Sequence, residues 1–416
     1  MKIIADFHVH SKYARATSKD LDIRALATWS KIKGVNVVAC GDFTHPKQFK
    51  DIQDNLTADG SGLYDLKDDN SGVKFLMGTE VACIYRHKDA TRRVHHCIFA
   101  PSIEAVAKFN QALTDRGCKL ASDGRPILGM SSKELLQIML DTDPRMVLIP
   151  AHAWTPWFAI FGSKSGYDSV EDCFEDLSSH IFALETGLSS DPEMNWALSS
   201  LDKYSLISNS DAHSGPKIGR EANVFELTEL SYDSLMSAIR NKNPKEFLYT
   251  IEFFPEEGMY HFDGHRLCNV SLDPVETRKL KNICPVCKKP LTVGVLHRVD
   301  NLRDQEFGRR PQNAIPFKKI IPLPEIIADY FDQGVQSKRV QDLFQTIIQK
   351  FGTEFSILLD ASLGELKQVM PEALARGIIR VREQQVKIVP GYDGVYGKVE
   401  LFDREEKLAS KQAKLF

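Results

Sequence analysis

The residues best able to do chemistry stand where the apolar runs of this sequence end. The opening stretch IIADFHVH follows Ile3-Ile4-Ala5 with Asp6, His8 and His10. Strand alternation sends positions 6, 8 and 10 to one face, so a carboxylate and two imidazoles are expected to leave the first strand together. The pattern recurs along the first 250 residues. Asp42 and His45 stand in GDFTHP, Glu80 in MGTEV, His95 and His96 in RVHHC, His152 in PAHAW, Glu185 in LETG, and Asp211 and His213 in SNSDAH. Histidines scattered through a core would not track strand ends in this way. Imidazole mixed with carboxylate suits Zn²⁺, Mn²⁺, Fe²⁺ or Mg²⁺, and the donors outnumber what one ion takes, so two or three divalent ions are expected. Metals held close together activate a water, clamp the oxygens of a phosphate and stabilise the leaving oxyanion. Phosphoester hydrolysis is the chemistry implied. Arg15, just past the first strand, is a candidate for holding a further phosphate oxygen.

A second metal signal lies further on. His265-x2-Cys268 and Cys284-x2-Cys287, fifteen residues apart, have the spacing of a structural zinc ribbon, in which two knuckles close one tetrahedral Zn²⁺; His261 and His297 are alternatives to His265. Eight cysteines in 416 residues do not make a disulfide scaffold, and the other five sit singly in apolar segments. Residues 264–319 carry 12 basic and 5 acidic side chains, against 28 and 36 in residues 1–259. A basic ribbon behind an acidic front half fits a polyanionic partner, with Lys279, Lys281, Lys288, Lys289 and Arg298 expected on phosphates.

These residues need a scaffold. Short apolar strands (2–7, 36–41, 73–79, 94–99, 146–151, 181–186, 205–209, 247–251) alternate with helical stretches (20–33, 102–115, 131–141, 231–241), which predicts a parallel sheet, open or closed into a barrel, with the chemistry at the carboxyl ends of its strands. After a break at 252–262 come the ribbon, the proline-rich connector RRPQNAIPFKKIIPLPEII, helical sequence from about 324 to 377, and a tail, IIRVREQQVKIVPGYDGVYGKVELF, that reads as strands around a glycine-rich turn. The expected division is 1–255 barrel, 256–310 ribbon and 311–416 helical domain with a β-tail. An apolar fraction of 43% and a charged fraction of 26% fit a globular protein, and no apolar run approaches the ~18 residues of a membrane span. A cytoplasmic protein with no membrane partner is expected. The absence of a GxxxxGK[ST] loop excludes a nucleotide-driven motor.

The order HxH, carboxylate, isolated His and DxH resembles the polymerase-and-histidinol-phosphatase (PHP) phosphoesterases over roughly residues 1–250. The resemblance implies a distorted (β/α)7 barrel with three metals. His8, His10, Glu80 and Asp211 would hold one ion, Glu80 would bridge to a second held by His96 and His152, and His213 with Asp42 or His45 would hold the third. Alternation admits only one of His95 and His96 to the site, and His96 is the expected one. Two features depart from the family pattern: SKYARATSKD has no further histidine after HxH, and the second motif is Asp42-x-x-His45. The whole layout, barrel then YHFDGHRLC and ICPVC leading into GVLHRVDNLRD and the VPGYDGVYGKVELF tail, resembles the endonuclease Q family of DNA-repair nucleases. That resemblance implies nicking of DNA, duplex or single-stranded, on the 5′ side of hypoxanthine, uracil, xanthine or an abasic site. Reading such a base takes an aromatic face and edge donors, for which the candidates are Trp154, Trp157 and Phe158 in HAWTPWF and Asn195 with Trp196 in SSDPEMNW, Trp154 and Asn195 first among them. A phosphatase acting on small phosphate esters and a DNA-binding scaffold without turnover are the competing readings. The sequence names no protein partner.

Overall fold

The computed structural model describes residues 1–88 and 90–407. Strand β1 (Lys2–Asp6) is the first apolar run, buried from Ile3 onward. Helix α1 (Ile23–Lys33) is opened by Asp22, whose carboxylate accepts the Ala25 N–H, and closed by Gly34 at φ 89°. Then follow β2 (Val37–Ala39), α2 (Pro46–Asn55), β3 (Lys74–His87), β4 (Ala90–Ala100), α3 (Ile103–Asp115), α4 (Ser132–Thr142), β5 (Val147–Pro150), β6 (Ala183–Glu185), β7 (Ser205–Ile207), β8 (Ala222–Glu226), α5 (Tyr232–Asn241) and β9 (Phe247–Glu252). Ser102, Ser131 and Ser231 start α3, α4 and α5 by accepting a backbone N–H three residues on.

Strands β1 to β7 form a distorted barrel. β1, β2 and β3 pair in parallel, as do β6 and β7, but β4 is antiparallel to both β3 and β5. The uniformly parallel sheet expected from βα alternation is therefore broken. The reason is chain length: residues 80–87 and 90–93 extend the two strands instead of forming a crossover. The short link left between His87 and Ala90 permits only a hairpin, since a parallel connection needs a dozen or more residues.

Side-chain amides close the ring between β7 and β1. Asn209 Oδ1 accepts the Phe7 N–H at 2.9 Å. Asn223 accepts the Ser208 N–H at 3.0 Å and donates to the Ser208 carbonyl at 2.7 Å, standing in for a neighbouring strand. Asn223 lies on β8, a strand the sequence reading did not include, which runs antiparallel to β1 and carries the sheet outward to β9.

The ribbon is a small hairpin, β10 (Asp263–His265) and β11 (Val270–Leu272), leading to helix α6 (Val295–Leu302). The connector then returns to the barrel. Its strand β12 (Phe317–Lys319) pairs in parallel with β9, ahead of α7 (Leu323–Phe331), α8 (Lys338–Phe351), α9 (Glu372–Arg382) and the hairpin β13 (Lys387–Val389)–β14 (Lys398–Glu400). The segment IIRVR, read as strand, instead ends α9, with Ile378 and Val381 buried. The C-terminal helices share one apolar core with α1 and the outside of the barrel. Lys33 and Glu354 form a buried ion pair at 2.5 Å across that junction. The tail comes back to the base of the ribbon, where Gly391 accepts the Phe262 N–H at 2.9 Å. Among the described residues no helix is long and apolar enough to cross a membrane.

Candidate metal centre

β1 ends at Asp6, before the two histidines, and the expected threesome does not form. Asp6 accepts the Ser210 and Gly219 N–H groups at 3.1 and 2.9 Å and is spent on tying β1 to the loops after β7. His8 and His10 go on to converge with Glu80 and Asp211. Glu80 Oε2 lies 3.4 Å from His8 Nε2 and 3.2 Å from His10 Nε2; Asp211 Oδ1 lies 3.6 and 3.0 Å from the same two atoms. The other Glu80 oxygen, Oε1, lies 2.7 Å from His95 Nδ1 and 3.0 Å from His152 Nε2. One carboxylate thus faces two groups of nitrogens, one oxygen to each.

The register of the β3–β4 hairpin decides which of the adjacent histidines takes part. Glu80 stands opposite Cys97 and Ala82 opposite His95, so His95 shares the face of Glu80, whereas His96 pairs with Val81 on the other face. This corrects the expectation for His96. Its Nε2 lies 2.8 Å from Ser132 Oγ and its ring packs on Phe174.

Buried polar atoms are normally paired. Here His8 Nε2, His10 Nε2 and Asp211 Oδ1 are buried without a hydrogen-bond partner, and they point at one another. Nitrogen and carboxylate donors left open in this way fit divalent cations. The opposite ring nitrogens are anchored: His8 Nδ1 lies 3.1 Å from both Glu185 oxygens, and His10 Nδ1 lies 2.9 Å from Asp42 Oδ1. Such carboxylate–histidine pairs aim the free nitrogen at a metal. Burial alone would raise Glu80 and Asp211, but His95, Arg125 and His8 hold Glu80 well below the usual carboxylate range, and His8 and His10 do the same for Asp211. Burial, against the pull of Glu80, pushes His95 down to about 4, so its ring is a neutral donor at pH 7. Three of the loop residues, Asp42 (φ 50°), His152 (31°) and Asp211 (46°), are non-glycines held in the left-handed region, a strain the surrounding packing imposes.

The residues expected at a third ion are not brought together among the described residues. Asp42 has both oxygens engaged, one on His10 and the other on the Ser11 N–H and hydroxyl at 2.6 and 2.7 Å. His45 stacks on Tyr13 with ring centres 4.8 Å apart, and the His213 ring lies 4.4 Å from that of His10. His265, Cys268, Cys284 and Cys287 do converge, with Cys287 Sγ 3.4 Å from His265 Nδ1. His261 is buried against Phe262, and His297 is paired with Asp263 at 2.6 Å, so neither joins that group.

Other expected site residues fall elsewhere. Trp154 is fully buried and donates its indole N–H to Asn195 Oδ1 at 2.8 Å, while the Asn195 amide binds the Asp191 carbonyl. Both belong to the scaffold, because each polar group is already satisfied within the fold. Arg298 is likewise occupied, donating to the carbonyls of Phe161 and Tyr167 and pairing with Asp168 at 2.6 Å, which fastens α6 to the barrel. Arg15 is 85% exposed and pairs with Asp123. Lys279, Lys281, Lys288 and Lys289 are exposed on the ribbon. Arg125 was missed. Its guanidinium donates to Glu80 Oε2 at 2.9 Å from the turn DGRP, which follows no strand end, and nothing in the sequence marks it.

Residues 322–385 match the family described as the MJ0043 C-terminal domain. A Methanocaldococcus jannaschii relative, the uncharacterised protein MJ0043, is 31% identical over 255 residues, 60% of this chain, and the match spans 31% of that longer protein. The Bacillus subtilis protein YqxK is 28% identical over 415 residues, 96% of this chain and 99% of its own. Among solved structures, the lesion-specific endonuclease PfuEndoQ from Pyrococcus furiosus superposes with a TM-score of 0.86 at 29% identity, covering 100% of this chain and 98% of that one. An endonuclease Q bound to a 27-mer duplex with an abasic lesion at the active site gives 0.85 at 29% identity, covering 98% of each. The chain has the endonuclease Q architecture from end to end.

Within this endonuclease Q fold a cavity of about 580 Å³ opens beside the metal cluster. Thr155, whose hydroxyl lies 3.1 Å from His152 Nδ1, and Arg220, which donates to the Ser210 carbonyl at 2.8 Å, form parts of its wall, so the cavity shares its loops with the cluster. Trp157 and Tyr260 meet edge to face at 5.3 Å across it, and Tyr396, 73% exposed, stands at its rim. Glu257 is among its lining residues and carries a buried, unpartnered oxygen; burial and then Glu325 push its carboxyl up to about 8, against Lys217.

Proposed function

We propose that this chain is a metal-dependent DNA-repair endonuclease that nicks duplex DNA on the 5′ side of a deaminated base (hypoxanthine, uracil or xanthine) or an abasic site. The carrying observation is the end-to-end likeness, at 29% identity, to a lesion-specific endonuclease and to an endonuclease Q with an abasic lesion at its active site. The convergence of His8, His10 and Asp211 on one side of Glu80, and of His95 and His152 on the other, supports a hydrolytic centre of the right kind.

In this reading His8, His10, Glu80 and Asp211 hold one ion, and Glu80, His95 and His152 hold a second, with Zn²⁺, Mn²⁺, Fe²⁺ or Mg²⁺ as the candidates. His265, Cys268, Cys284 and Cys287 hold a structural Zn²⁺. When bound, the ions at the active site supply a hydroxide at neutral pH and neutralise phosphate charge. The chain does the rest. Glu185 and Asp42 fix the rotation of His8 and His10, Glu80 presents one oxygen to each side, and the neutral His95 needs no deprotonation before it ligates. A water oxygen adds to phosphorus, the bond to the 3′ oxygen breaks, and that oxygen takes a proton, leaving 3′-hydroxyl and 5′-phosphate ends.

The extruded base is assigned to the cavity of Trp157, Tyr260 and Tyr396, whose faces offer stacking. Glu257, neutral below about pH 8, has an O–H to donate to the carbonyl that deamination creates; an exocyclic amine at the same place sets donor against donor. Lys279, Lys281, Lys288 and Lys289 are assigned to phosphates of the flanking duplex, and the cytoplasm to the working compartment.

The test uses duplexes labelled at either end and carrying uracil, hypoxanthine, an abasic site or no lesion, with Mn²⁺ or Mg²⁺. The expected result is one nick 5′ to each lesion, sealed by ligase only where no base damage blocks it, and an intact control strand. Absence of nicking on all three lesions, or equal nicking of the control, refutes the proposal.

A further inference from the structure

The cations around the cluster are spoken for, with one exception. Lys12 pairs with Asp51 at 3.1 Å, Arg15 with Asp123 at 3.1 Å, and Lys217 with Glu325 at 2.6 Å. Arg220 is turned to the backbone carbonyls of Ser210 and Asp211. Arg125 alone, among the described Lys and Arg side chains, pairs with a carboxylate of the cluster, and that carboxylate is Glu80, which stands between the two groups of imidazoles.

Its approach is built in. Asp123 Oδ1 accepts both the Arg125 N–H at 3.1 Å and the Arg15 N–H at 3.2 Å, which fixes the turn. The Gly124 N–H donates to the Tyr13 carbonyl at 3.0 Å. A glycine is required there, since a Cβ would come within 2.5 Å of Asp42 Oδ2 and 2.8 Å of the Ala14 Cβ. The loop therefore packs directly on the carboxylate that orients His10, and it delivers the guanidinium of Arg125, a side chain 29% exposed, to the edge of the cluster. A guanidinium carries five N–H donors, and Glu80 is the hydrogen-bond partner seen for one of them. The remaining donors form a planar fork of the shape that takes phosphate oxygens.

We propose that Arg125 is a catalytic residue that grips a non-bridging oxygen of the scissile phosphodiester. This rests on the hydrolytic reading of the cluster given above. As water adds to phosphorus, negative charge grows on the non-bridging oxygens, and a fixed cation held by Glu80 meets that charge without reorganising. Binding through the same contact in the ground state is weaker, because the diester oxygens carry one charge shared between two atoms.

The experiment compares the parent with Arg125→Ala and Arg125→Lys on a uracil duplex in which either non-bridging oxygen at the nicked phosphate is replaced by sulfur. Loss of one preorganised donor lowers kcat by about 10²–10³-fold. Arg125→Ala is expected to show that loss, with duplex affinity and bound metal within about threefold of the parent, and to lose the parent's preference between the two sulfur diastereomers. Arg125→Lys, which keeps the charge without the fork, is expected to recover part of kcat. An unchanged diastereomer preference, or a loss of bound metal that accounts for the whole rate change, makes Arg125 a support for Glu80 and overturns the proposal. Bis(4-nitrophenyl) phosphate is run in parallel. If the parent hydrolyses it but nicks no lesion, the proposed function falls, and the Arg125→Ala rate on that diester still decides for or against Arg125.

Discussion

Replacing Glu185 with Gln tests whether the metal centre is aimed from behind. Glu185 is 1% exposed and faces three nitrogens, His8 Nδ1 at 3.1 Å to both oxygens, the His152 N–H at 2.8 Å and the Asn209 amide at 2.8 Å, with the Cys97 thiol more distant at 3.9 Å. A Gln amide keeps the shape but has one acceptor. Whichever way it turns, an NH2 group faces either the His152 N–H or the Asn209 amide, and one buried donor loses its partner, at a cost of about 1–3 kcal/mol in stability. The same change removes the charge that fixes the His8 ring. Loss of an outer partner of this kind costs about 10–100-fold in metal affinity, or roughly 1.4–2.7 kcal/mol. The assay is the nicking rate of a lesion duplex against Mn²⁺ concentration for the parent, Glu185→Gln and a control, Glu252→Gln. The control carboxylate is equally buried but bonds Thr186 and Thr250 rather than a ring of the cluster. The expected result is a midpoint for Glu185→Gln shifted to about 10–100 times more metal, with most of the rate regained at saturation. A midpoint equal to the parent's, or equal shifts in both variants, refutes the idea that Glu185 orients His8 for a metal.

Exchanging the adjacent histidines separates their roles: His95→Ala should lose about 10²-fold or more in nicking rate, whereas His96→Leu should stay within a few fold and lose about 1 kcal/mol through the lost bond to Ser132, whose hydroxyl keeps Tyr85 as a partner, read by kinetics and thermal melting. Cys284→Ser should remove one zinc per chain and weaken duplex binding, while hydrolysis of bis(4-nitrophenyl) phosphate persists, because structural zinc supplies folding free energy to the ribbon and not to the barrel. Neutralising Lys288 and Lys289 together should weaken lesion and undamaged duplex alike and flatten the slope of log K against log[salt] by up to about two. The pH profile follows the sign of the Glu257 shift: with the carboxyl raised to about 8, its proton is present through neutrality and lost as pH rises through about 8, so nicking at uracil and hypoxanthine should fall there relative to nicking at an abasic site. Parallel profiles for all three lesions would count against Glu257 as the base-reading donor.

The elements of the barrel were legible because burial and local chemistry agree in them. The helix expected at 231–241 is Tyr232–Asn241, started by Ser231 as a capping serine starts any helix, and the expected strand at 205–209 contains Ser205–Ile207. What alternation could not supply was direction. A strand running 94–99 reads the same whether it follows a crossover or a hairpin, and only the pairing of 80–87 with 90–97 distinguishes them. The strand Ala222–Glu226 escaped notice for a related reason: its Asn223 does its work as a side chain inserted at the β7 seam rather than as part of an apolar run.

The site shows the same division between composition and register. His8, His10, Glu80, His152 and Asp211 could be gathered from one line of reasoning, that polar residues at strand ends share a rim. The choice between His95 and His96 could not, because both follow the same strand and differ only in which face the pairing assigns them. The hairpin fixes it: with Glu80 opposite Cys97, the residue two before Cys97 must share Glu80's face and the one before Cys97 must not. A direction missed in the fold therefore carried over into the choice between the two histidines. Arg125 lies beyond even that logic, since a turn residue acquires its place only when Gly124 lets the loop settle against Asp42. Residues set by the sheet are recoverable from pattern once its pairing is known, whereas residues set by loop packing are not, and in this chain the phosphate-facing cation is of the second kind.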